Sequence, residues 1–133
     1  MHISSAHVGS EPRNRRILLV DDDSDALGIF MLGLERAELE VDAYTSPLEA
    51  LEFFKPNTYY IAVLDIRMPE MTGFQLHRRL RELDPTITTC FLSAFEIRED
   101  EFKKVFPSMQ GVKAIIRKPV RTAELLKHII RVI

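Results

Sequence analysis

Short apolar runs alternate with longer stretches of helical period along this chain. Uninterrupted runs of this length are typical of parallel strands buried on both faces, and the stretches between them are typical of amphipathic helices. The sequence therefore predicts five strands, at residues 17–20, 41–44, 60–64, 87–92 and 112–116. It also predicts five helices, which carry the apolar positions of residues 27–34, 48–54, 74–83, 97–105 and 125–133. Because strand and helix alternate throughout, this order predicts an α/β domain with a doubly wound, five-stranded parallel sheet.

The first 14 residues do not share this pattern. They are polar, contain Gly9 and Pro12, and show no apolar period. We therefore predict a flexible N-terminal arm over residues 1–14 and one domain over residues 15–133. The chain has 133 residues, which is enough for one well-buried core and too few for two domains.

Composition and charge exclude several classes of function. The chain carries 18 Lys and Arg against 20 Asp and Glu, a formal net charge of -2, so it has no general attraction for nucleic acid or acidic lipid. The basic run at residues 77–81 is interpreted as a solvated helix face rather than a nucleic-acid contact. No apolar stretch has the length of a membrane span or the form of a signal peptide, and we therefore expect a cytoplasmic protein.

Polar side chains stand at the ends of four predicted strands. They are Asp21, Asp22 and Asp23 after the first strand, Asp65 after the third, Ser93 after the fourth and Lys118 after the fifth. Because the carboxyl ends of parallel strands meet at one edge of a sheet, we expect these side chains to converge on one crevice. Carboxylates held together repel one another unless a cation neutralises them, and an oxygen-only set suits Mg²⁺ or Mn²⁺. The sequence therefore predicts a divalent metal site.

The same crevice contains donors that suit a phosphate group. Mg²⁺ takes one or two protein carboxylates and completes its coordination shell with water and phosphate oxygens. A lysine and a hydroxyl, here Lys118 and Ser93, are suited to hold the other phosphate oxygens. One carboxylate is then left over as a nucleophile, and these residues together indicate phosphoryl-transfer chemistry.

Four segments together resemble the receiver domain of two-component response regulators. They are the acidic strand end at residues 17–23, the Asp-x-x-Met-Pro-x-Met-x-Gly pattern at residues 65–73, Ser93 after its strand, and Lys118 followed by Pro119. Each piece alone is a weak signal, but the combination, with each piece at a strand end, is specific. The resemblance covers residues 15–133 and implies a flavodoxin-like (βα)5 receiver fold of the stand-alone, single-domain type.

The resemblance also implies a role for each acidic residue. Asp65 would accept a phosphoryl group. Asp21, Asp22 and Asp65, with the backbone carbonyl of Arg67, would hold Mg²⁺, and Asp22 would be the more direct ligand. Asp23 would lie outside the site and would cap or charge the first turn of the first helix.

Four further positions complete the comparison with the family. In the family that this chain resembles, the residue matching Ser93 is a hydroxyl that moves toward the phosphoryl group, and the residue matching Lys118 pairs with that group. The peptide bond before Pro119 would be cis. This sequence departs from many members at Ile115, three residues before the lysine, where they have Tyr or Phe. The aromatic half of the family's switch is therefore missing.

The implied activity is that of a signalling switch and not of an ordinary enzyme, since the chain would catalyse only its own phosphorylation and dephosphorylation. The phosphoryl donor would be a sensor histidine kinase or a histidine phosphotransfer protein. A downstream protein would bind the face made by the predicted helix at 97–105, the strand at 112–116 and the last helix. The loop between that helix and that strand looks longer than in common members, and Phe106 and Met109 predict an unusual partner surface there.

Other interpretations explain fewer of these residues. Asp21, Asp23 and Asp25 have the spacing that opens a calcium-binding EF-hand loop, but Ala26 stands where the turn needs Gly and Leu32 where a bidentate Glu is required. A haloacid-dehalogenase-like phosphatase would account for the first strand end but not for the pattern after the third strand. Two alternatives stay open within signalling: the receiver half of a longer regulator with an output domain, and an inactive receiver-like interaction module.

Overall fold

A computed structural model of the chain describes residues 2–4, 16–94 and 110–130. The strands are β1 (His2–Ser4), β2 (Arg16–Val20), β3 (Glu40–Tyr44), β4 (Ile61–Asp65), β5 (Thr89–Ser93) and β6 (Val112–Arg117). The helices of this part of the chain are α1 (Ser24–Arg36), α2 (Pro47–Glu52), α3 (Gly73–Leu83) and α4 (Thr122–Ile130). These described strands form one six-stranded sheet, in the order β1-β3-β2-β4-β5-β6. Among the described residues, no helix combines the length and apolar character of a membrane span.

The five strands from β2 to β6 match the five that the apolar runs predict, and they pair in parallel. Strand order reverses at β2, because β3 lies on one side of it and β4 on the other. Apolar side chains cover both faces of the sheet. One face packs against α1 and α4, and the other packs against α2 and α3. The prediction of a doubly wound parallel sheet is therefore confirmed.

The segment predicted as a flexible arm contains a strand that the sequence pattern did not indicate. β1 pairs antiparallel with β3, with His2 opposite Tyr44 and Ser4 opposite Asp42. A strand of three residues is too short to show a period in the sequence, and its pairing depends on the edge that β3 offers. The prediction of five strands and a wholly flexible arm is thus corrected at residues 2–4.

Two helices begin at residues that the sequence indicates. The Asp23 side chain caps α1 and accepts hydrogen bonds from the backbone N–H groups of Asp25 and Ala26. Ser46 caps α2, where Pro47 occupies the first turn. The carboxylate of Asp23 therefore serves the start of the helix, as predicted.

Part of the predicted partner face lies outside the described residues. The predicted helix at residues 97–105, Phe106 and Met109 all fall between residues 94 and 110, and they stay predictions. β6 begins at Val112, as predicted, and Ile115 lies within it, partly buried on the α3 side of the sheet.

The amino end of the sheet contains a buried ion pair that the apolar pattern did not indicate. The guanidinium of Arg16 donates two hydrogen bonds to Asp42, at 3.0 and 2.6 Å, and one to Glu40, at 2.7 Å. The Tyr59 hydroxyl donates to the same Asp42 carboxylate at 2.5 Å. Arg16 and Asp42 are both less than one tenth exposed. Arg16, Glu40 and Asp42 therefore each have a partner, and the buried charges of this group are compensated.

His77 is buried, so the interpretation of its neighbourhood as a solvated face is wrong for this residue. Its Nδ1 lies 2.8 Å from the Thr89 Oγ1, and its Nε2 lies 2.9 Å from the carbonyl oxygen of Gln110. A carbonyl oxygen only accepts, so Nε2 carries a proton and donates, and in the neutral ring Nδ1 accepts from the Thr89 hydroxyl. His77 lies three residues before the buried Leu80 and so on the core face of α3. The ring joins α3 to β5 and to the residue that leads into β6.

This burial predicts a pH dependence of stability. Burial lowers the pKa of His77, the hydrogen bond to Gln110 acts in the opposite direction, and the charges of Arg81 and Arg78 lower the pKa further. Below about pH 6.5 the unfolded chain therefore takes up a proton that the folded chain does not, and stability is lost as the pH falls.

A His77→Phe variant isolates this effect, because the ring still packs near Phe91 but takes up no proton. The difference in free energy of unfolding between wild type and variant is expected to decrease between pH 7.5 and pH 5. The slope is at most about 1.4 kcal/mol per pH unit, the limit for one proton. Urea denaturation at the two pH values measures it, and an equal difference at both would contradict the expectation.

Candidate functional site

The carboxyl ends of the parallel strands bring the predicted site residues to one edge of the sheet. Asp21 and Asp22 follow β2 directly, Asp65 ends β4, Ser93 ends β5 and Lys118 follows β6. Every residue of β2, β4 and β5 is buried. Because these strands are held from both faces, the side chains at their ends occupy well-determined positions.

Three carboxylates of this group lie close together. Asp21, Asp22 and Asp65 each offer one carboxylate oxygen, and these oxygens all lie within 4.8 Å of one another. Asp21 and Asp65 are buried, whereas Asp22 is exposed. Oxygen atoms at this spacing fit around a single hard cation such as Mg²⁺. We call these three residues the acidic cluster.

Lys118 contacts two members of the acidic cluster. Its Nζ donates to the Oδ2 of Asp21 at 2.9 Å and lies 3.5 Å from the Oδ1 of Asp65. The backbone N–H of Lys118 donates to the carbonyl oxygen of Ser93 at 2.6 Å, which extends the pairing of β5 and β6 by one residue. The bond between Lys118 and Pro119 is cis, as the resemblance implies.

Asp21 is held by hydrogen bonds on both its backbone and its side chain. Its N–H donates to the carbonyl oxygen of Tyr44 at 3.1 Å, and its Oδ1 accepts from the N–H of Asp23 at 3.0 Å. Lys118 occupies its other carboxylate oxygen. The carboxyl group of Asp21 is therefore held in position, and the exposed Asp22 is the more accessible ligand for a cation that arrives from solvent.

Negative charge is in excess at this edge of the sheet. Burial, followed by the charge of Asp21, raises the pKa of Asp65 to about 7, and Lys118 acts against this rise. Burial also opposes the charge on Lys118, but the hydrogen bonds and charges of Asp21 and Asp65 outweigh it and raise the pKa of Lys118. Three carboxyl groups face one ammonium group here, and a divalent cation would balance the excess negative charge that they carry when ionised.

The loop after β4 folds back so that α3 begins against Asp65. The N–H of Gly73 donates to the carbonyl oxygen of Ile66 at 2.8 Å. A β-carbon on Gly73 would lie 2.3 Å from the backbone oxygen of Asp65. Thr72 and Gln75 form a capping box at this helix start. The Gly that ends the Asp-x-x-Met-Pro-x-Met-x-Gly pattern is therefore required for packing against Asp65, a role that sequence reasoning did not assign.

Ser93 and Arg67 complete the predicted set. Ser93 is 1% exposed and ends β5, the strand that pairs with β4. Arg67 is exposed and lies two residues after Asp65 in the loop that leads to α3. Their roles as a switch hydroxyl and as a carbonyl ligand stay predictions.

Comparisons with known sequences point to one family. A family model described as the response regulator receiver domain matches residues 17–130. The response regulator receiver protein CpdR of Brucella abortus is 35% identical over 81 residues, which are 61% of this chain and 68% of CpdR. The transcriptional regulatory protein PrrA of Mycobacterium bovis is 34% identical over 114 residues, which are 86% of this chain and 48% of PrrA. The chain thus spans about half the length of PrrA.

A solved structure agrees with the sequence comparisons. The crystal structure of a CheY-like response regulator receiver domain protein from Methanospirillum hungatei superposes with a TM-score of 0.73 at 29% identity. The match covers 88% of this chain and 91% of that one. Receiver domains are signalling switches and not ordinary enzymes. The fold, the strand-end residues and these similarities show that the chain belongs to the response regulator receiver domain family.

Proposed function

We propose that Asp65 accepts a phosphoryl group from a sensor histidine kinase or a histidine phosphotransfer protein, and that phosphorylation changes which downstream protein the chain binds. One observation carries this proposal: the buried Asp65 carboxylate lies within 4.8 Å of two other carboxylates and 3.5 Å from the Lys118 ammonium. Such a site combines a nucleophile with charges of both signs around the position of a phosphoryl group.

The chemistry assigns a distinct task to each side chain. An ionised oxygen of Asp65 forms a bond to phosphorus, the bond between phosphorus and the donor's histidine nitrogen breaks, and the departing imidazole takes up a proton from solvent. The Nζ of Lys118 faces the negative charge on the phosphoryl oxygens. The Ser93 hydroxyl donates to the same group once it is attached, which shifts the chain toward its active conformation.

The acidic cluster fits a divalent cation by its chemistry and spacing. Asp21, Asp22 and Asp65, with the backbone carbonyl of Arg67, would hold Mg²⁺ or Mn²⁺. When bound, the ion supplies positive charge next to the phosphoryl oxygens. Because the pKa of Asp65 is about 7 without an ion, part of this carboxyl is protonated at neutral pH and is not nucleophilic. Neutralisation of Asp21 and Asp22 favours the ionised, reactive form.

Intact mass spectrometry after incubation with a small phosphodonor and Mg²⁺ tests this function. Wild type is expected to gain one phosphoryl group, and Asp65→Asn is expected to gain none because the amide is not a nucleophile. Asp25→Asn is a matched control, since Asp25 is an exposed carboxylate in the first turn of α1 and lies outside the acidic cluster. An equal gain in wild type and Asp65→Asn would show that phosphorylation occurs elsewhere or not specifically.

A second proposal concerns the context of the domain. The chain matches 48% of PrrA, a transcriptional regulator, and this partial coverage favours the alternative that the receiver is one part of a longer regulator with an output domain. Determination of the gene boundary downstream of the codon for Ile133 tests it. A stop codon there would favour a receiver that signals by contact, through the face that includes β6 and α4.

A further inference from the structure

The first strand of the sheet is an added edge strand. In the described part of the chain, β1 is the outermost strand and pairs with β3, with His2 opposite Tyr44. We call the residues His2–Ser4 the N-terminal strap. The register brings the beginning of the strap to the carboxyl end of β3, which is the edge of the sheet that carries the acidic cluster.

Both faces of the strap contact the rest of the domain. On one face, Ile3 packs against the apolar cluster between the sheet and α1. On the other face, the His2 imidazole stacks on the Tyr44 ring, with centroids 4.3 Å apart and planes inclined by 12°. The Phe53 ring lies 5.9 Å from the imidazole, also nearly parallel to it. Tyr44 is only 2% exposed, so the strap helps to bury the last residue of β3.

The residue that the strap covers also supports the acidic cluster. The backbone carbonyl of Tyr44 accepts the hydrogen bond from the N–H of Asp21, at 3.1 Å. Asp21 in turn binds Lys118 at 2.9 Å and lies within the acidic cluster. Tyr44 therefore contacts the strap through its ring and the acidic cluster through its carbonyl oxygen.

We propose that the N-terminal strap is a detachable element, and that its attachment to β3 is coupled to cation binding at the acidic cluster. The inference rests on the proposed function, because it takes the acidic cluster to be a metal site. When the strap is detached, the edge of β3 and the Tyr44 ring are exposed and the end of β3 gains freedom. When it is attached, the backbone that supports Asp21 is held in one conformation.

A short edge strand such as the N-terminal strap gains little free energy on attachment. The gain from pairing and side-chain burial is offset by the conformational entropy lost when three residues are ordered. An equilibrium close to balance responds to small changes at the edge to which the strand binds. Strap attachment and cation binding both require an ordered end of β3. Once one of them has ordered it, the other loses less conformational entropy when it occurs. The coupling is therefore positive.

Nuclear magnetic resonance of the full chain tests the coupling without any mutation. The measured quantity is the rate at which the amide protons of residues 2–4 exchange with water, with and without saturating Mg²⁺. We expect Mg²⁺ to slow this exchange by about fivefold. The amide shift of Asp65 reports cation binding independently. A shift at Asp65 with unchanged strap exchange would overturn the coupling and leave the proposed function standing, whereas no Mg²⁺-dependent change at Asp65 would contradict both.

A variant tests the same coupling from the other side. Ile3→Asn weakens the attachment of the strap without changing the charge of the chain. Coupling between two sites is reciprocal, so the variant is expected to bind Mg²⁺ more weakly. The expected factor is the one by which Mg²⁺ slows amide exchange in the strap. Ile29→Asn is the matched control, since it makes the same change at an α1 side chain that is 64% exposed. Calorimetric titration gives both dissociation constants. Wild-type affinity in Ile3→Asn, or equal weakening in the control, would overturn the proposal.

Discussion

A Lys118→Gln variant is expected to phosphorylate at least about 100-fold more slowly than wild type, since removal of one donor to a developing oxyanion typically has an effect of this size. The Nζ of Lys118 lies 2.9 Å from Asp21 and 3.5 Å from Asp65, and glutamine has no charge to place there. Lys118 also acts against the rise in the pKa of Asp65, so the variant holds less of this carboxyl in its reactive form at neutral pH. A time course by intact mass spectrometry measures the rate.

The same substitution is expected to strengthen Mg²⁺ binding. Lys118 is a positive charge beside the acidic cluster, and its loss removes a repulsion that any cation bound there experiences, which is worth about threefold or more in affinity. Calorimetry at pH 9, which lies two units above the wild-type Asp65 pKa of about 7, reduces the contribution of protonation to this comparison. Slower phosphorylation together with tighter Mg²⁺ binding distinguishes loss of the lysine from general damage to the site, which would lower both the rate and the affinity.

Arg117→Gln provides the control for charge. Arg117 is the neighbouring cation, ends β6 and is exposed. Because exposed charges are screened by solvent, the phosphorylation rate and the Mg²⁺ affinity of this variant are expected to stay within about twofold of wild type. A wild-type phosphorylation rate in Lys118→Gln, or an equal loss in Arg117→Gln, would show that Lys118 has no specific role.

Gly73→Ala is expected to lower the free energy of unfolding by about 1–3 kcal/mol, the range of overpacked sites, and to slow phosphorylation. The new methyl group would meet the backbone oxygen of Asp65 at 2.3 Å and the Cα of Ile66 at 3.1 Å. Backbone atoms of a buried strand end do not move aside as a flexible side chain does. Either α3 shifts away from the end of β4 or Asp65 changes position. Urea denaturation measures the stability change, and intact mass measures the rate.

Gly28→Ala offers a matched control within the same chain. Gly28 lies inside α1, and a β-carbon there would have no atom within 4 Å. Alanine in a helix interior is more stable than glycine by about 0.5–1 kcal/mol, so this substitution is expected to stabilise the domain and to leave phosphorylation unchanged. If both glycine substitutions changed the free energy of unfolding in the same direction, the contact between Gly73 and Asp65 would not explain the result.

The strands show how much of the fold could be predicted. β2 and β4 appear in the sequence as uninterrupted apolar runs because every one of their side chains is buried. The direction of parallel strands then placed Asp21, Asp65 and Lys118 at one edge of the sheet, and the structure has them there. The helix at residues 97–105 stays a prediction.

The misses share a physical cause. Arg16, Asp42 and His77 are polar residues that a binary pattern assigns to the surface, yet partners from distant segments satisfy them in the interior. β1 is a strand only because β3 offers an edge and the His2 ring meets the Tyr44 ring. Pairing of this kind depends on the partner segment and leaves no periodic signal in the three residues themselves.

By itself, the sequence determined the strands that build the core, their direction and the chemical composition of the site, because periodicity and strand ends are properties of neighbouring residues. The tertiary structure alone decided that the oxygens of the acidic cluster lie within 4.8 Å of one another, that Lys118 pairs with Asp21 and that the pKa of Asp65 is raised. Lys118 and Asp21 are 97 positions apart in the chain, so their contact exists only after the sheet has formed. Distance, burial and charge balance arise from contacts between such remote segments, and local patterns do not encode them.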